Sequence, residues 1–138
     1  GQANEIGPGK RPLSSMTPTI VIKDGKAVFA TGTPGGSTII NIVLQNVLNI
    51  LEFGMNPMQA NAAPKVHHQW QPDRITAEPG ISVDTIRIME DRGFVFSRSQ
   101  DGALQQRPMG RTNTVMLYEG TLLGAADPRE PDGGVGAF

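Results

Sequence analysis

The segment from residue 26 to residue 53 constrains the fold more than any other. Residues 26–31 are strand-like, Gly32-Thr33-Pro34-Gly35-Gly36-Ser37-Thr38 is a glycine-rich turn, and an apolar run begins at once behind it. That order is strand, tight turn, helix. Glycine reaches backbone angles that a side chain forbids and lets another group approach closely, while the first N–H groups of a helix lack internal partners. Gly35 and Gly36 are therefore candidate backbone donors to negative charge. Their ligand can be a phosphate, a carboxylate or the oxyanion of an acyl-transfer intermediate. Neither Gly-x-x-x-x-Gly-Lys-Ser/Thr nor Gly-x-Gly-x-x-Gly occurs, so the turn is not a nucleotide-binding loop of either common type.

The spacing behind the turn predicts a helix over residues 38–53. Ile40, Val43, Leu44, Val47, Leu48 and Leu51 form its core stripe, with Asn41, Gln45, Asn49 and Glu52 on the opposite face and Gly54 at its stop. Ile39, Ile42 and Ile50 widen the apolar surface, as expected of a helix packed on a sheet and touched by a further element. Before the turn, Asp24-Gly25 joins two β-rich runs, residues 20–23 and 26–31, which is a strong hairpin signal. The first run is continuously apolar at Ile20-Val21-Ile22, which predicts burial on both faces.

One domain of 138 residues with 38% apolar content can build a core, and the formal charge of −1 with 18% charged residues offers no field for nucleic acid or an anionic membrane. The longest apolar run is broken by polar residues and too short to span a bilayer, so membrane insertion is not expected. The absence of cysteine removes thiolate nucleophiles and cysteine metal sites. His67 and His68 are adjacent, so on a strand they point to opposite faces and cannot share a metal; no metal site is expected.

Elsewhere, Asn56-Pro57 caps a short helix, residues 65–70 and 74–77 read as strands, and Ser82 caps a helix to residue 92 with Ile81 and Ile86 as a staple. Arg87 and Asp91 are spaced to pair on that helix. Residues 94–97 are strand-like, 99–111 a loop, and Glu119-Gly120 joins a last hairpin. The two ends, residues 1–10 and 127–138, show no periodicity, and the start reads as the middle of a loop in something larger. Hairpins rather than strand–helix alternation give an α+β class with a largely antiparallel sheet and six or seven strands.

Residues 11–18, Arg-Pro-Leu-Ser-Ser-Met-Thr-Pro, are extended or looped between two prolines, and Ser14 and Ser15 can donate to a carboxylate or satisfy local backbone. Residues 10–20, 31–37, 63–70 and 124–129 contain Lys-Arg-Pro-Leu-Ser-Ser-Met-Thr-Pro-Thr-Ile, Thr-Gly-Thr-Pro-Gly-Gly-Ser, Ala-Pro-Lys-Val-His-His-Gln-Trp and Gly-Ala-Ala-Asp-Pro-Arg. In these motifs and their order the chain resembles the γ-glutamyltransferases (γ-glutamyltranspeptidases), over the C-terminal part of their small subunit and essentially its whole length.

The resemblance implies an N-terminal-nucleophile hydrolase fold, an αββα sandwich of which residues 1–138 are one part. It implies a self-cleaved precursor whose new N-terminal Thr attacks γ-glutamyl amides such as glutathione, with no cofactor, and passes the acyl group to water or an amine. By motif, Ser14 and Ser15 bind the substrate α-carboxylate, and Gly35 and Gly36 donate to the oxyanion. The implied partners are the remainder of the small subunit and the large subunit of the same precursor, and the implied location is periplasmic or extracellular. The nucleophilic Thr lies upstream of Gly1, so this chain is expected to hold half an active site and to be inactive alone. Lys65 stands where the family often has Arg, which weakens any bidentate contact there. A poly-γ-glutamate depolymerase or cephalosporin acylase type of relative, or a non-catalytic amino-acid- or anion-binding module, are the alternative readings; Ser14-Ser15 favours a glutamyl substrate.

Overall fold

The computed structural model describes residues 2–136; Gly1 and the last two residues lie outside it. Six strands and three α-helices follow in the order β1 (Thr19–Lys23), β2 (Lys26–Gly32), α1 (Ile39–Leu51), α2 (Pro57–Ala62), β3 (Val66–His67), β4 (Thr76–Ala77), α3 (Val83–Asp91), β5 (Asn113–Tyr118) and β6 (Thr121–Ala125). The class is α+β, as the hairpin pattern predicts.

Both hairpins form where their turn residues specify them. Asp24 and Gly25 have φ of 51° and 74°, and Glu119 and Gly120 have φ of 48° and 79°, the positive pair that two-residue hairpin turns require. Antiparallel pairing of β2 with β5 joins the hairpins into one sheet of order β1-β2-β5-β6. α1 and α2 cover one face of it, burying Phe29, Ile50 and Ala60 with Val21, Val47 and Met116 around them.

Among the described residues, the other face of the sheet is largely open. Ile20, Val115, Leu117 and Leu122 open onto it around a shallow 330 Å³ hollow. This corrects the expectation that β1 is buried on both faces: Ile20 is 65% exposed, because β1 is an edge strand and Val135, which packs on this face, sits at Gly124 on the opposite edge strand, β6.

The stripe expected on α1 is also corrected. The buried positions are Ile39, Ile42, Val43, Asn46 and Ile50, whereas Ile40, Leu44, Leu48 and Leu51 face outward. Apolar residues surround this helix on three sides, so its periodicity fits more than one rotation. Polar contacts choose among them: Asn46 Nδ2 lies 2.8 Å from Thr31 Oγ1 and 3.0 Å from Thr114 Oγ1 in the sheet. Asn41 and Gln45 are not on a free face either; they grip β3, where Gln45 donates to the Val66 carbonyl and accepts from its N–H.

α2 carries the predicted Asn56 cap, completed by Gln59 into a capping box. Ser82 caps α3 through the Thr85 N–H, and Ile81 packs on the cluster of Ile75, Ala77, Ile86 and Phe96. Arg87 pairs with Asp84, 3.6 Å away, rather than with Asp91. The residues around Phe96 form no strand, only a parallel bridge to Ile75.

Candidate functional site

The strand–turn–helix segment ends β2 at Gly32 and enters a short 3-10 turn, Gly36–Thr38, that runs into α1. Gly35 has φ 150° and Gly36 has φ 58°. A Cβ on Gly35 would lie 2.8 Å from Thr38 Oγ1, the hydroxyl that donates back to the Gly35 carbonyl at 2.8 Å. Both positions therefore require glycine, the first for space and the second for its backbone angle. Around Gly36 there is open space, so a ligand can approach its backbone. Among the described residues, the N–H groups of Gly35 and Gly36 have no hydrogen-bond acceptor.

Pairing of Thr19 with Thr31 sends the segment before β1 and the segment after β2 off the same end of the sheet. Ser14 and Ser15 lie in the segment that leads into that end of β1, and among the described residues no hydrogen bond joins it to the glycine turn. Ser14 is exposed and its Oγ accepts from the Met16 N–H at 3.2 Å, the local-backbone role weighed for it from sequence; Ser15 is half-buried.

Beneath the turn lies a support that sequence reading left in a loop. A Cβ on Gly110, whose φ is 66°, would come within 2.5 Å of Thr33 Oγ1. The same hydroxyl accepts from the Arg111 N–H and donates to the Pro34 carbonyl, both at 2.8 Å. One residue earlier, the Met109 N–H donates to the buried Glu78 carboxylate, which also takes the Lys65 N–H and the Arg129 guanidinium. Pro108-Met109-Gly110 marks only a loop, so no local pattern signals this buttress.

Arg129 is the hub of the buried charges. Its guanidinium holds Asp127 by two bonds of 2.6 Å, bonds the Asn61 carbonyl and pairs with Glu78. Burial alone pushes the Asp127 carboxyl up, but hydrogen bonds from Arg129 and from the Thr112 N–H outweigh it and leave the group below the usual carboxylate range. The end of the chain, aperiodic in sequence, is thus anchored through residues 127 and 129.

Lys65 is buried and makes no bidentate contact. Its Nζ donates to the carbonyls of Ala60, Asn61 and Ala63 at 3.0–3.2 Å, closing the last turn of α2 as a point cation can. Burial, with the positive charge of Arg129 added, lowers its pKa from 10.5 to about 8, against the opposing pull of Glu78 and Asp127.

His67 is buried and His68 exposed, on opposite faces as the strand geometry requires. The His67 ring lies between Asn41 Oδ1 at 3.0 Å and Gln69 Oε1 at 2.9 Å, and His68 pairs with Asp73 at 2.9 Å.

Residues 1–137 match the sequence profile of the family described as gamma-glutamyltranspeptidase. The Escherichia coli glutathione hydrolase proenzyme is 50% identical over 133 residues, which is 96% of this chain and 22% of that protein. The chain spans about a fifth to a quarter of the length of these curated relatives. Among solved structures, Helicobacter pylori gamma-glutamyltranspeptidase superposes with a TM-score of 0.81 at 38% identity, over 94% of this chain and 69% of that one. The enzyme from Pseudomonas nitroreducens gives 0.83 at 33% identity, over 100% and 70%. These likenesses identify the fold as that of the N-terminal-nucleophile hydrolases.

Proposed function

The chain belongs to the gamma-glutamyltranspeptidase family, and we propose that it forms the substrate-binding and oxyanion-stabilising part of an enzyme that cleaves γ-glutamyl amides such as glutathione. The observation that supports this reading is the pair of N–H groups at Gly35 and Gly36 that have no acceptor among the described residues, just beyond the end of β2 that pairs with the start of β1, the strand the Ser14-Ser15 segment leads into. The Ser14 and Ser15 hydroxyls receive the α-carboxylate of the γ-glutamyl group, and the two backbone donors receive charge as it develops on the scissile carbonyl oxygen.

The nucleophile is an N-terminal Thr contributed by the rest of the precursor. Its hydroxyl adds to the γ-carbonyl carbon as its α-amine takes the proton. The resulting oxyanion rests on Gly35 and Gly36, and collapse expels the amine with that proton, leaving a γ-glutamyl ester on Thr. Water or an acceptor amine then adds to the ester carbon over the same donors and releases Thr. A ligand-facing backbone N–H needs no reorganisation during these steps, and one such donor contributes about 3 to 4 kcal/mol of transition-state stabilisation. The open sheet face carrying Ile20 and Leu122 fits a second layer supplied by the remainder of the small subunit or by the large subunit.

Intact-mass analysis of the purified product of the complete parent gene, with a γ-glutamyl anilide assay beside it, tests this. The expected result is two chains, one opening on Thr, and release of the aniline. An uncut product that releases none contradicts the proposal.

A further inference from the structure

A polar pocket of 240 Å³ takes in Ser37, the residue after Gly36, and is not used in the scheme above. Its wall is built by register. His67 stands directly opposite Thr76 across the β3–β4 pair, and Thr76 Oγ1 lies 3.4 Å from Ser97 Oγ, so three polar side chains cross one face in a row. The alternate residues, Ile75, Ala77 and Phe96, go to the opposite face and into the hydrophobic cluster. Arg74, two residues before Thr76, and Arg107, whose N–H donates to the Ala77 carbonyl, flank the row, and Ser37 closes it on the α1 side.

The charge of this pocket is one-sided. No Asp or Glu lines it. Arg87, Arg98, Arg111 and Arg129 each pair with a carboxylate, whereas among the described residues Arg74 and Arg107, like Arg11 and Arg92 outside the pocket, enter no ion pair. Two free guanidinium groups with hydroxyl donors between them suit a planar anion.

We infer that this pocket takes the carboxylate of the acyl acceptor, an amino acid or short peptide whose amine attacks the γ-glutamyl ester; the inference rests on the function proposed above. Ser37 follows Gly36 directly, so the pocket begins about 3.8 Å along the chain from the oxyanion donor, and an extended dipeptide spans about 7 Å. An acceptor amine at the acyl carbon can therefore extend its carboxylate towards Arg74 and Arg107.

The test uses the full-length parent enzyme with a γ-glutamyl anilide donor and two acceptors, glycylglycine and glycylglycinamide, which differ only in the carboxylate. For the wild type, kcat/KM is expected to favour glycylglycine by roughly tenfold or more, the scale of a charge-assisted contact. In R74Q/R107Q that preference should fall to within about twofold through a rise in the KM for glycylglycine, whatever happens to turnover. Equal use of both acceptors by the wild type, or a preference that survives in the double variant, overturns the inference while leaving donor cleavage intact. A wild type that releases no aniline overturns the underlying reading instead, and the inference with it.

Discussion

Gly110 sits so close to Thr33 that any side chain there would occupy the space of the Thr33 hydroxyl, 2.5 Å from a built Cβ, and it would meet Ile42 Cδ1 at 2.6 Å as well. Thr33 begins the segment that presents Gly35 and Gly36, so the proposed donor turn is held in place by a residue with no polar side chain of its own. Gly110→Ala in the parent enzyme must move either Thr33 or the loop. The expected outcome is a fall in kcat/KM for a γ-glutamyl anilide of roughly tenfold or more, part of the 10²–10³ loss that follows removal of an oxyanion donor. Unchanged kinetics would show that the turn is aimed by something else.

Arg129 neutralises two carboxylates that are themselves almost wholly buried, Glu78 and Asp127. Arg129→Met removes the cation and leaves both acids without it. Breaking a buried ion pair from one side typically costs about 3–5 kcal/mol. The variant of the parent protein should therefore lose several degrees of Tm by calorimetry. A Tm within a degree of the wild type would contradict the hub assignment.

Lys65 titrates in the folded chain at about 8, below its ordinary 10.5. Between those values the unfolded chain binds the proton and the folded chain does not. This group's contribution therefore makes stability rise with pH across the window, and below pH 8 its burial as a cation is a standing cost. Lys65→Arg does not titrate there. On going from pH 7.5 to pH 10, the Tm difference between wild type and variant should move in favour of the wild type. A gap independent of pH would mean that Lys65 keeps its proton.

How much of this was legible in the residues depends on the range of each interaction. Asp24-Gly25, Glu119-Gly120, Asn56-Pro57 and Ser82 fix local backbone within a few positions, so their elements could be read directly. α1 could be read as a helix but not rotated, because its apolar surface is wide. Its orientation is decided by Asn46, which meets Thr31, Thr114 and Asn61 from distant segments. Likewise Glu78, Asp127 and Arg129 looked like surface charges until the fold placed residues some fifty positions apart in contact. The Gly35-Gly36 turn was legible because its donors are backbone groups; the Gly110 beneath it was not, since steric support leaves no pattern in one sequence.

The open sheet face gives a prediction of opposite signs. Leu122 is 70% exposed there beside Val115 and Leu117. If the remainder of the precursor covers this face, Leu122→Asp buries a charge in the parent protein and should lower its Tm and soluble yield, a large effect by the cost of an unpaired buried carboxylate. In the 138-residue chain made alone the same change should raise solubility, because an exposed apolar patch is reduced. A parent protein indifferent to the substitution would show that the face stays open.

The central claim concerns where the γ-glutamyl group rests, and a crystal structure of the parent enzyme trapped as its γ-glutamyl ester reads it directly. The account predicts the ester carbonyl oxygen within about 3.1 Å of the Gly35 and Gly36 nitrogens, and the α-carboxylate within hydrogen-bonding distance of the Ser14 and Ser15 hydroxyls. An acyl group whose oxygen points away from that turn, or whose carboxylate is held without either serine, would contradict it.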